Sequence, residues 1–163
     1  MFVKVRNDYL EFYAEKKISP VHQDISNIAK HYRRREKLYR QCGVPVGLLK
    51  NKEVLEVGPG SGYNTLAFFA WNIAHVDLVE PNRTAVADME QLFHKIDSKK
   101  YKIYPQIFEE YATQCERKYD FVVAEGFLNN LPVATDIFHK LLTFVKIGGG
   151  NRCYLYGLYR FFC

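Results

Sequence analysis

Apolar and polar positions follow two different rhythms along this chain, and the change comes near residue 50. Before it the spacing is helical. Residues 9–17 suit a short helix, and Ser19-Pro20 reads as a helix start with proline in the first turn. From 24 to 41, Ile25, Ile28, Ala29, Tyr32, Leu38 and Tyr39 recur at helical spacing, and Gly43 and Pro45 end the run. From Lys52 onward short apolar runs alternate with helical stretches. Strands are predicted at Glu53–Val57, 74–79, Tyr101–Tyr104, 121–125 and 152–156. Helices are predicted from a glycine-rich turn to about Ala70, then at 83–94, 108–115 and 135–145, the last stopped by Gly148-Gly149-Gly150. Strand–helix alternation implies parallel strands joined by right-handed crossovers. The expected fold class is α/β: a doubly wound, mainly parallel sheet over 51–163, with N-terminal helices over 1–50 forming a cap.

Composition changes this picture little. The chain has 163 residues, 48% hydrophobic and 25% charged, which is ordinary for one globular unit. The net charge of +5, from 23 basic and 18 acidic residues, tolerates an anionic partner without demanding one. Cys42, Cys115, Cys153 and Cys163 form no CxxC pair. His22, His31, His75, His94 and His139 show no ligand spacing, so no metal is expected. The charged start, Met1 to Asp8, lacks the apolar run of a signal peptide, and no apolar stretch approaches the ~20 residues of a membrane span. The expectation is a soluble cytoplasmic protein with reduced thiols and no membrane partner.

The chemistry concentrates after the first strand. Val54-Leu55-Glu56-Val57 runs into Gly58-Pro59-Gly60-Ser61-Gly62 at a helix start. Glycines let the chain turn sharply and let a ligand approach the backbone, and the helix start supplies free N–H groups. Dinucleotide sites use GxGxxG; here the third glycine comes one residue early, and Tyr63 stands where that pattern needs it. The second strand ends at Glu80-Pro81-Asn82, beside the first loop in a parallel sheet. A carboxylate there can accept hydrogen bonds from both hydroxyls of a ribose.

This GxGxG loop with an acid-ended second strand resembles the class I S-adenosylmethionine (SAM) dependent methyltransferases, over about Glu53 to Gly150. The resemblance implies a Rossmann-like fold, SAM as cofactor and S-adenosylhomocysteine as its product. It implies that Gly58, Pro59, Gly60 and Gly62 underlie the methionine and ribose parts, that Glu80 with Pro81 holds the ribose, and that Glu56 faces the amino end. After the third strand the family often carries an acid near the adenine; here Ile107 and Phe108 stand closest, with the acid displaced to Glu109, so Phe108 is the adenine-side candidate. Glu125, after the fourth strand, lies beside the cofactor and is the candidate general base or positioning residue. Glu125-Gly126-Phe127-Leu128 departs from the D/N-P-P-Y/F motif of amino-base methylases, and no Pro-Cys pair serves cytosine-carbon chemistry.

The run Arg33-Arg34-Arg35 lies on the helix before the first strand, where successive side chains diverge, so it makes no single compact patch. Tyr32 and Arg35 are candidate substrate or carboxylate contacts. The family's sheet normally ends in two further strands, and this chain stops at Cys163, just after the fifth. The expectation is therefore a sheet incomplete at its C-terminus, from a truncated or altered product, with pairing between subunits at the fifth strand or loss of catalysis as alternatives. The expected reaction is methyl transfer to a small-molecule or sugar-like acceptor. Its rivals are an RNA or protein methyltransferase, a SAM-binding module without catalysis, and a nucleotide-binding oxidoreductase, the last disfavoured by the glycine spacing.

Overall fold

A computed structural model describes Phe12, Glu15, Lys16, Ile18, residues 23–126, Leu128, residues 134–146 and the backbone of 155–156. Phe12, Glu15 and Lys16 are helical. The rest of the predicted 9–17 helix, the Ser19-Pro20 start, the glycine turn at 148–150, Cys153 and Cys163 lie outside the described residues.

The first full helix, α1 (Ile28–Gln41), starts four residues later than the apolar spacing suggests. The cause is local. The Asp24 carboxylate accepts the Ser26 N–H at 3.0 Å and its hydroxyl at 2.6 Å, fixing a turn that competes with helix. Asn27 then caps the helix by accepting the Lys30 N–H at 2.9 Å. Gly43, at φ +76°, ends it.

Five strands follow: β1 (Glu53–Val57), β2 (His75–Val79), β3 (Tyr101–Tyr104), β4 (Phe121–Val123) and β5 (Leu155–Tyr156). Between them lie α2 (Leu66–Ala70), α3 (Arg83–Leu92), α4 (Phe108–Gln114) and, before β5, α5 (Ala134–Leu142). All four pairings are parallel, in the order β3-β2-β1-β4-β5. β1 and β3 match the sequence reading to the residue. β4 is two residues shorter, because Ala124 leaves the ladder and Gly126 turns at φ +67°.

Alternation along β1 divides the core. Leu55 and Val57 face one side with Phe108, Tyr111, Ile137 and Leu141 of α4 and α5. Val54 faces the other, with Tyr39 of α1, Phe68 of α2 and Met89 of α3. The end of α1 thus shares a core with the sheet. The chain leaves β1 toward β2 and β3, then returns to place β4 on the other side of β1. The carboxyl ends of β1 and β4 therefore flank the topological switch point, the crevice where open α/β sheets take their ligands.

Candidate active site

The glycine loop at the end of β1 is built from backbone that other residues resist. Gly58, Gly60 and Gly62 have φ of +72°, +59° and +77°. The positions differ in what surrounds them. A Cβ on Gly62 would lie 2.6 Å from Met89 Cγ and 2.7 Å from Phe93 Cζ, so this glycine lets α3 pack against the loop. A Cβ on Gly60 would meet nothing within 4 Å, which leaves open space beside that backbone. Pro59 is half-buried, and its carbonyl accepts the Gly62 N–H at 3.2 Å to close the turn.

Glu80 fastens this loop to β2. One carboxylate oxygen accepts the Gly60 N–H and the other the Asn82 N–H, each at 2.9 Å. Glu80 is 4% exposed, and burial raises its pKa against the lowering effect of those two bonds. Half-buried Pro81 separates it from Asn82, which caps α3 by accepting the Ala85 N–H at 3.0 Å. The Asn82 side chain also donates to the Ile18 carbonyl at 3.0 Å, so the segment before α1 reaches the end of β2.

Glu56 and Glu125 bracket the switch crevice. Glu56 is buried near the end of β1, and its donor among the described residues is the Thr65 hydroxyl at 2.7 Å. Burial, together with the charges of Glu125 and Glu80, pushes its pKa up to about 7, against Thr65 and Arg35. Glu125 follows β4 and is held from α1. Arg35 donates to both of its oxygens, through Nη1 at 2.7 Å and through Nη2, and the Tyr39 hydroxyl adds a bond at 3.1 Å. Burial pulls the Arg35 pKa down, but its bonds to Glu125 outweigh that and leave it raised. Among the described residues Arg35 Nε is buried without a hydrogen-bond partner.

His31, Arg35 and Tyr39 are spaced four apart and form the buried stripe of α1. His31 Nε2 donates to the Tyr63 carbonyl at 3.0 Å, just past the glycine loop, and burial lowers its pKa. The stripe closes over the carboxyl edge of the sheet. The i, i+4, i+8 spacing is visible in the sequence, but only Arg35 was singled out there; His31, Tyr39, Thr65 and Asn82 were missed as site residues. The three arginines diverge as their positions require. Arg33 is exposed, Arg34 donates to the Asp24 carbonyl at 3.1 Å, and Arg35 is buried.

The structure thus brings Glu56, Gly58, Pro59, Gly60, Gly62, Glu80, Pro81 and Glu125 to one edge. Phe108 is 2% exposed, and its ring packs in the core 5.7 Å from that of Phe144. Among the described residues no group of three or more His, Cys, Asp or Glu is placed to hold a metal ion. No described helix is long and apolar enough to cross a membrane.

Comparison with known proteins agrees with this geometry. No curated protein matches the sequence. Among solved structures, the magnesium protoporphyrin IX methyltransferase of Synechocystis, with SAM bound, superposes with a TM-score of 0.59 at 17% identity, covering 85% of this chain and 69% of that one. The phosphoethanolamine N-methyltransferase of Haemonchus contortus, with phosphoethanolamine and S-adenosylhomocysteine, gives 0.63 at 16% identity, over 91% of this chain and 32% of that one. A protein of Pyrococcus horikoshii put forward as an RNA methyltransferase gives 0.57 at 15%, over 97% and 75%. At these identities the likeness speaks to the fold. Residues 29–151, from within α1, match the family model described as Methyltransferase domain. The chain therefore belongs to the methyltransferase domain family, enzymes that take S-adenosylmethionine as methyl donor.

Proposed function

We propose that this domain binds SAM with its α-amino-acid end at the β1/β4 crevice and transfers the methyl group to a small-molecule or sugar-like acceptor. One observation carries the reading. Among the described residues Glu56 is a buried carboxylate with no cation bonded to it, and Arg35 Nε–H is a buried donor with no acceptor. Both are costly as they stand. An α-amino acid brings an ammonium for the first and a carboxylate for the second, so the residues present suit this end of the cofactor. The open space beside Gly60 and the remaining lone pairs of Glu80 suit the ribose.

Bound there, SAM supplies a methyl carbon made electrophilic by its sulfonium. The chain's own residues bind, orient and exclude water. The glycine loop and Glu80 hold the nucleoside side, and Glu56 with Arg35 hold the amino-acid side. The stripe of α1 covers the edge through His31 and Arg35, a closure that favours a small acceptor over a bulky one. Glu125 has two tasks in this proposal. It fixes α1 through Arg35 and Tyr39. A carboxylate offers about four acceptor directions; three are taken, and the fourth is free to accept a proton from the acceptor group.

Calorimetric titration tests the cofactor reading. SAM is expected to bind and NAD not to. 5′-Methylthioadenosine, which lacks the amino-acid end, is expected to bind more weakly. Arg35→Gln should weaken SAM about tenfold or more, roughly 1.4 kcal/mol, and leave methylthioadenosine unchanged. Failure of SAM to bind the wild type sinks the proposal, and equal loss for both ligands in the variant removes the assignment of Arg35. Methyl transfer from labelled SAM into RNA rather than small molecules would replace the acceptor class.

A further inference from the structure

The net charge of this protein resides in one helix. Of the 23 basic and 18 acidic residues in the chain, α1 holds six basic and one acidic, which leaves 17 of each sign elsewhere. Arg35 is turned inward to Glu125. The other five, Lys30, Arg33, Arg34, Lys37 and Arg40, are all exposed. At about 100° per residue, Arg33, Lys37 and Arg40 lie roughly 180–240° around the axis from His31, so they form one row on the side away from the crevice. That row, with Glu36 and Gln41, lines a shallow, open stretch of surface. Glu36 is its one acid and pairs with Arg40 at 2.9 Å, while Arg33 and Lys37 have no ion-pair partner among the described residues.

We infer that this outer face of α1 docks the phosphodiester backbone of a nucleic-acid strand. The row from Arg33 to Arg40 rises about 10 Å along the helix, and with side chains of this length its three cations can face about three successive phosphates. A face with a cationic excess on a chain that is otherwise balanced concentrates the field where the strand would lie. The same helix buries Arg35 at the methyl-transfer crevice on its opposite side, so docking and cofactor binding use different faces of one element. The inference therefore does not rest on the acceptor class, and it can fail without touching the SAM site.

The test is fluorescence anisotropy of a labelled 12-nucleotide single-stranded RNA, titrated with the protein at several salt concentrations. Three phosphate contacts on a single strand predict a log–log salt slope of about −2. The Arg33→Glu/Lys37→Glu double variant should lose at least about thirtyfold in affinity and flatten the slope by about 1.4. Lys95→Glu/Lys99→Glu changes the net charge equally at another exposed place and should cost only a few-fold. Thermal melting and SAM titration of both variants should match the wild type. No binding at low salt, equal loss in the two double variants, or equal affinity for polyglutamate, which would mark an acidic protein as the partner, each overturns the inference.

Discussion

The two edges of the sheet handle buried charge in opposite ways. At the amino edge every carboxylate has a cation. Asp77 accepts from Arg117 at 3.1 Å and lies 3.0 Å from His75; Glu53 accepts from Arg117 at 2.6 Å and Lys146 at 2.9 Å; Asp120 meets Lys146 at 3.2 Å and Lys52 at 3.8 Å. At the carboxyl edge, among the described residues, Glu56 and Glu80 have only neutral donors, and the guanidinium of Arg35 is committed to Glu125. The first edge spends its charges on closing the strands. The second keeps carboxylates at the expense of stability, which fits the proposal that a cationic group of the ligand binds at Glu56.

The largest effect is expected where the amino edge is most buried. Asp77 is fully buried and accepts the Tyr119 hydroxyl at 2.5 Å, which in turn meets the Tyr111 hydroxyl. Burial and the Asp77 charge raise the Tyr119 pKa far above its usual range, so the phenol stays a donor. Asp77→Ala removes the acceptor on which Tyr119 and Arg117 converge, and should cost about 3–5 kcal/mol in urea unfolding. SAM affinity of the folded fraction should change little. A cost below 1 kcal/mol would dissolve the contrast between the edges.

Next comes Glu56. Its pKa is raised from an ordinary 4.5 to about 7, so the folded state binds its proton more tightly than the unfolded chain. Its contribution is therefore fully present below about pH 4.5 and is lost as pH rises through about 7, on the order of 3 kcal/mol in all. Glu80, also raised by burial, adds a change of the same sign. Glu56→Gln keeps an acceptor for Thr65 and removes the titration. Its unfolding free energy should fall less between pH 5 and 8 than that of the wild type; parallel curves would show that Glu56 does not carry the change. Glu80→Ala should follow, weakening SAM about 100-fold, roughly 2.7 kcal/mol, with Glu80→Gln between it and the wild type.

The same contrast explains what could be read from the sequence. β1 and β3 are short apolar runs with polar bounds, and both were legible to the residue. The start of α1 was not, because a side-chain bond between Asp24 and Ser26 overrides the apolar spacing. Glycine loop and Glu80 were legible because the φ-positive backbone and the strand-end acid are local features. The Arg35–Glu125 pair joins residues 90 apart, and nothing local in either segment announces the other. The amino-edge network escaped for the same reason, although Asp77 inside an apolar strand was a signal that a buried acid needed partners.

The smallest expected effect completes the comparison. Lys146 reaches both Glu53 and Asp120, yet its side chain is 38% exposed, and so is much of Glu53. Water already solvates these groups, and holding a long side chain between two acids costs conformational freedom. Lys146→Ala should therefore lower stability by less than about 1 kcal/mol. Half of that loss or more should vanish near 1 M salt, where the screening length falls to about 3 Å. Asp77→Ala, measured beside it, should keep most of its cost, since Asp77 and the Tyr119 hydroxyl bonded to it are fully buried, even though Arg117 is as exposed as Lys146. If Lys146→Ala cost as much as Asp77→Ala, the strength of the amino edge would come from the number of its ion pairs rather than from their burial.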